Sequence, residues 1–194
     1  MRADFQVFID ACVPANRGVC DLLLSLAERP RLFVPHWSAR ILEEVKRTHL
    51  AKVNWPERLV DLFQREITHT FPEAEVSGFE KFVPTLSNHQ KDRHVLAAAI
   101  CGGCSVILTF NLKHFGHEHL TEHHIRARHP EDHLRTLRAR AQTGDRRPGR
   151  NRRTTAHGNR RCSHLSWFGH PKVLSLRSVR SLQVTRWTSR SQTP

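Results

Sequence analysis

The chain alternates short apolar runs with longer stretches in which apolar residues recur every three or four positions. Phe5 to Ile9 (FQVFI), Leu32-Phe33-Val34, which Pro35 is expected to end, and Ser105 to Phe110 (SVILTF) are of the first kind. Runs this short and this apolar suit strands covered on both faces of a sheet. Helical patterns lie between them. One covers Asp21 to Glu28 and stops at Pro30; another runs from Ser38 to about Leu50. A third starts at Pro56, whose missing N–H is harmless in a first turn, and reaches about Ile67. The fourth, Lys91 to Ile100, ends at Gly102-Gly103. Ser38 and Asp92 stand where a side-chain oxygen can cap the second and fourth helices. Ala74 to Val76 reads as a weak short strand, Gly78 to Asn88 as loop and Ile125-Arg126-Ala127 as a further strand. A last helix begins at Pro130 and fades near Arg140. Strands alternating with helices over short loops predict an α/β fold, a parallel sheet covered by helices.

The unit around residues 91–115 is the most informative. Leu96, Ala99 and Ile100 form an apolar stripe, and the alanines allow close approach to a sheet. The helix runs into the strand 105–110 through a glycine turn. In parallel sheets ligands bind beyond the carboxyl ends of the strands. Here that edge carries Thr109, Asn111, Lys113 and His114.

Charge divides the chain. Residues 1–140 hold 19 Lys and Arg against 17 Asp and Glu, whereas 141–194 hold 12 against Asp145 alone. Of the formal charge of +13, +11 (12 against 1) therefore belongs to the tail, and it is no argument that the body binds nucleic acid. The expected organisation is a folded domain over 1–140 and a basic, low-order tail over 141–194 with little to bury. Such a tail is either without a selected fold or an arm that tethers RNA through its phosphates. No apolar run has the ~18–20 residues of a membrane span. The N-terminus lacks the apolar core of a signal peptide, so a cytoplasmic protein is expected. Five cysteines, an odd number, agree with a reducing compartment rather than a disulfide framework.

Three carboxylates fall where this fold could bring them together. Asp10 ends the first strand and Asp92 begins the central helix. The helix from Ser38 offers Glu43 and Glu44. At ~100° per residue its apolar face centres near Ile41 and Val45, which leaves Glu44 on the border and Glu43 toward solvent. Carboxylates sharing a pocket repel one another, and a hard divalent cation, Mg²⁺ or Mn²⁺, offsets that repulsion. Such an ion activates water for attack on phosphorus. Each acid also has a plainer reading: Asp92 as a helix cap, Asp10 as a turn former and Glu44 as a solvated surface charge.

At these residues the chain resembles a known family. FIDACVP at 8–14, HWSARILEEVKR at 36–47, KDRHVLAAAI at 91–100 and VILTFNLKHF at 106–115 are similar, in order and spacing, to PIN domains of the VapC-like toxin branch. The similarity covers about Phe5 to Leu137. It implies a three-layer α/β/α fold with a central parallel sheet and a metal-dependent ribonuclease that uses Mg²⁺ or Mn²⁺ on RNA phosphodiester bonds. It also implies a small antitoxin as partner and a homodimer. Carried over position by position, Asp10, Glu44 and Asp92 match the acids that hold the metal, and Thr109 and Asn111 the polar residues after the last motif strand. The sequence departs at one point. Relatives usually carry an aspartate at the Asn111 position or three residues later, where His114 stands, and His89 also occupies a position often acidic. A catalytically degenerate domain that binds RNA or protein is therefore the alternative reading. Arg93, Thr109 and Lys113 are the expected substrate-binding residues; Arg93 and Lys113 flank the site and could contact substrate phosphates, or serve only as solvated charges.

Cys101-Gly-Gly-Cys104 has redox spacing, and with His117 and His123 a zinc-finger spacing. Its cysteines fall at a helix end rather than at a helix start, and the intervening apolar run is needed by the sheet. Both readings are set aside, and the histidines at 114, 117, 119, 123 and 124 are read as a solvated loop.

Overall fold

The structure, a computed structural model, describes residues 5–29 and 31–143. Four parallel strands form one sheet in the order β2-β1-β3-β4: β1 (Gln6–Ile9), β2 (Val34–His36), β3 (Val106–Leu108) and β4 (Arg126–Arg128). The registers Val7↔Val106 and Val7↔Pro35 put β1 and β3 at the centre. All three residues of β3 are buried although successive side chains point to opposite faces, so both faces of the sheet are covered. This is the α/β class that the apolar runs predict.

Helices α1 (Cys12–Ala15) and α2 (Arg17–Glu28) lead from β1 to β2. Helices α3 (Ala39–Ala51) and α4 (Glu57–Thr70) follow β2. The central helix α5 (Arg93–Cys101) lies against β1 and β3 with Val95 through Ala99 all buried. Gly102 and Gly103 end it, the second at φ +63°, a left-handed conformation that glycine adopts without strain. A short α6 (His117–Leu120) precedes β4, and α7 (Pro130–Thr143) runs past the boundary expected at residue 140. The tail beyond it lies outside the described residues.

Four local readings differ. Pro35 lies inside β2 rather than ending it; β2 is an edge strand, where a missing N–H is tolerated. Residues 74–76 make only an isolated bridge, Trp37↔Glu75, rather than a strand of the sheet. The segment read as loop contains a 3-10 helix, Glu80–Thr85. The histidine-rich segment is also ordered, as 3-10 turns at Leu112–His114 and Thr121–His123 flanking α6. Short helical turns of this kind carry no long apolar period and escape pattern reading.

Candidate functional site

The registers of β1 and β3 decide the centre of the site. Ile9 pairs with Leu108, so the next residue on each strand, Asp10 and Thr109, emerges at the same edge. Backbone bonds fix both: the Asp10 N–H donates to Leu108 O at 3.0 Å, and the Thr109 N–H to Arg128 O at 3.1 Å. The Thr109 hydroxyl donates to Asp10 Oδ2 at 2.7 Å, and the Cys12 thiol donates to the same oxygen at 3.0 Å. Asp10 is 6 % exposed, yet no Lys, Arg or His among the described residues pairs with it. Burial, with the Asp10 carboxylate second, pushes the Cys12 thiol up to about 12, so it keeps its proton and acts as a donor. Thr109, expected to touch substrate, is fully buried, and its hydroxyl also accepts the Asn111 N–H at 3.0 Å.

Helix α3 supplies the second acid. The Ser38 hydroxyl accepts the Ile41 N–H at 3.4 Å, which starts the helix and turns Ile41 and Val45 fully into the core. Glu44 then sits on the border, its side chain 26 % exposed, while Glu43 is exposed. Glu44 Oε1 lies 3.4 Å from Arg40 Nε and 3.4 Å from Nε2 of the buried His94. Burial outweighs the Glu44 charge and lowers the His94 pKa, so the contact joins a carboxylate to a neutral imidazole.

The third acid starts α5, whose N-terminus lies at the same edge because its C-terminus turns directly into β3. Asp92 holds the N-cap position but makes no capping hydrogen bond, so the plainer reading of this residue does not describe its side chain. Its Oδ2 instead lies 3.0 Å from His114 Nδ1 and 3.2 Å from His89 Nδ1. The two imidazole rings stack at 4.8 Å with planes 16° apart. Glu44 and Asp92 both act electrostatically on His94, which places them about one end of α5. Arg93 Nε donates to Asn88 O at 3.1 Å, while Asn111 and Lys113 are exposed.

Two participants escaped sequence reasoning. Cys12 carries no signal beyond its place two residues after Asp10. His94 could have been noticed as a histidine inside an otherwise apolar helical face.

Comparison with known proteins adds one partial likeness. "Putative ribonuclease VapC50" of Mycobacterium tuberculosis (strain ATCC 25618 / H37Rv) is 47 % identical to this chain over 57 residues. The VapC-like resemblance holds over that segment. It amounts to 29 % of this chain, which spans about a third (34 %) of the relative's length. No family model and no solved structure matches the chain. No helix among the described residues is long and apolar enough to cross a membrane.

Proposed function

We propose that the chain is a divalent-metal-dependent endoribonuclease of the PIN kind, hydrolysing RNA phosphodiester bonds. The observation that carries this reading is Asp10, a carboxylate buried at the carboxyl edge of a parallel sheet with hydroxyl and thiol donors and no basic partner among the described residues. A buried carboxylate without a counter-charge is costly, and a bound cation supplies one. In donor chemistry the set suits a hard ion: Asp10, Glu44 and Asp92 would hold Mg²⁺ or Mn²⁺, with the Asn111 carbonyl as a neutral fourth oxygen. The ion would have to draw the three acids together, because among the described residues the ligand atoms already within 4.8 Å of one another are those of His89, Asp92 and His114. When bound, the ion activates water and stabilises the leaving oxygen. The chain's own residues do the rest. Thr109 and the protonated Cys12 hold Asp10 in one orientation, and Arg93 and Lys113 contact phosphate oxygens without reading bases.

The partial likeness to a protein named as a putative ribonuclease supports RNA cleavage; a toxin role, a small antitoxin protein as partner, a homodimer as the working form and the cytoplasm as its place are part of the same proposal. The test is cleavage of single-stranded RNA with added Mn²⁺, against EDTA and Asp10→Asn controls. Cleavage that is lost with EDTA and in the Asn variant is expected; an Asn variant that cuts as fast as the parent refutes the assignment.

One observation favours a second reading, a binding module without catalysis: the neutral Asn111 and the imidazole of His114 stand in the region of the fourth acid. Asn111→Asp and His114→Asp separate the two. A large gain of activity from nothing supports the degenerate domain, and little change supports the three-acid site.

A further inference from the structure

We propose that His89, Asp92 and His114 form a site for an imidazole-preferring first-row divalent cation, such as Zn²⁺ or Co²⁺, rather than for Mg²⁺. The inference rests on the preceding reading of the pocket for its purpose, since Asp92 is shared with the carboxylate set.

The three ligand atoms, two Nδ1 and one Oδ2, come from the turns Gln90–Asp92 and Leu112–His114 and from His89, which immediately precedes the first of them. They all lie within 4.8 Å of one another, and the oxygen is 3.0 and 3.2 Å from the two nitrogens. Around a cation with bonds of ~2.1 Å, neighbouring ligand atoms stand ~3.0–3.4 Å apart, so the two oxygen–nitrogen distances fit. The contacts are not hydrogen bonds. Asp92 Oδ2 is buried and receives no N–H along a bonding direction from either ring. A shared proton requires an N–H aimed at the oxygen. A shared cation requires only that the lone pairs converge on a point off the N–O line. Two imidazole lone pairs facing an anionic oxygen repel one another unless positive charge lies between them.

The surroundings agree with this. The stacked rings brace each other, which limits the rotation that would carry either Nδ1 away. Asp92 forgoes its helix-capping bond to keep this orientation. Two imidazoles and one carboxylate suit zinc and its neighbours, whereas Mg²⁺ prefers oxygen throughout. Three protein ligands leave positions open for water or a phosphate oxygen, the pattern of catalytic rather than structural sites.

The experiment titrates the untagged, metal-free full chain with Co²⁺, reading visible ligand-field absorption, and with Zn²⁺ and Mg²⁺ by calorimetry. His89→Ala and His114→Ala are compared with His117→Ala, a control needed because the chain has 15 histidines. Circular dichroism confirms that each variant is folded; His89 is about half exposed, so its replacement leaves the core untouched. One equivalent of Co²⁺ with visible bands is expected, weakened at least tenfold in His89→Ala and His114→Ala and unchanged in His117→Ala. Mg²⁺ binding should be indifferent to both imidazole variants. A parent that binds no Co²⁺, or imidazole variants that bind it as the parent does, overturns the proposal and marks the cluster as a carboxylate–imidazolium contact only. The two readings fail separately. RNA cleavage dependent on Asp10, with Co²⁺ indifferent to the imidazoles, leaves the nuclease and removes this site. Imidazole-dependent Co²⁺ binding without any cleavage does the reverse.

Discussion

Replacing Thr109 by valine tests the hinge between fold and site. The change conserves shape, so the packing of a fully buried residue is kept. It removes the hydroxyl that donates to Asp10 Oδ2 at 2.7 Å and accepts from the Asn111 N–H at 3.0 Å. A hydrogen bond to a charged group contributes ~1.5–3 kcal/mol, and Asp10 keeps only the weaker thiol donor. The Asn111 N–H, in a partly exposed loop, finds water at small further loss. The expected destabilisation is about 2–4 kcal/mol, a large part of the ~5–15 kcal/mol available to a domain. Thr109→Ser keeps the hydroxyl and loses one methyl group, worth about 1 kcal/mol. Urea unfolding in EDTA, read as a shift in midpoint at constant slope, ranks the two. If hydroxyl bonding governs the position, valine is clearly worse than serine. A valine variant as stable as the serine variant refutes the reasoning and makes Thr109 an ordinary core residue.

Two further predictions follow from protonation. Burial lowers the pKa of His36, His49 and His94, while the unfolded chain takes up these protons near pH ~6.5. The unfolded state therefore binds more protons, so stability is full above pH ~6.5 and falls as pH drops below it, by at most ~1.4 kcal/mol per unit per histidine. Urea midpoints between pH 8 and 5 check this, and a flat or opposite trend refutes it. The Cys12 and Cys20 thiols, pushed up to about 12, should alkylate at pH 8 at least ~100-fold more slowly in the native chain than in urea, by peptide mass spectrometry. Rapid labelling of Cys12 would show that its thiol does not keep its proton beside Asp10.

The sheet was legible because apolar runs and their glycine or proline stops are local signals. FQVFI and SVILTF need no knowledge of the rest of the chain to read as buried strands. Glu44 was legible for the same reason, since the period of Ile41 and Val45 decides which glutamate borders the core. Pro35 was misread because the rule that proline ends a strand depends on whether the strand is central or at an edge, and strand order is a tertiary property. The side chain of Asp92 was open for a related reason. Capping and ligation use the same residue type at the same position, and only the structure shows the side chain lying against His89 and His114 instead of capping the helix. Cys12 belongs to the site through its contact with Oδ2, which no spacing encodes.

The three acids differ in what balances their charge, and that difference is the physical core of the site. Among the described residues Asp10 has neutral side-chain donors only, a hydroxyl and a thiol that burial keeps protonated. Glu44 has one exposed guanidinium at 3.4 Å, a contact that water screens, and an imidazole kept neutral by its own burial. Asp92 has two imidazoles that approach without hydrogen-bonding. Among the described residues none of the three is locked to a strong, fixed cation, as a carboxylate serving stability alone would be if buried beside a bidentate arginine. Neutral donors orient a carboxylate while leaving its charge uncompensated, so under the proposed reading an ion at Asp10 would meet no fixed cation among the described residues. The same reasoning gives the opposite expectation for a lysine placed at position 111. Asn111→Lys would bring a permanent positive charge to the edge beside Asp10 and compete directly with the ion. It should raise the concentration of Mn²⁺ needed for binding at least tenfold in calorimetry while leaving the urea midpoint nearly unchanged, because the side chain at 111 is exposed. Unaltered Mn²⁺ binding in that variant would mean that the charge at this edge is already balanced, contrary to the account given for Asp10.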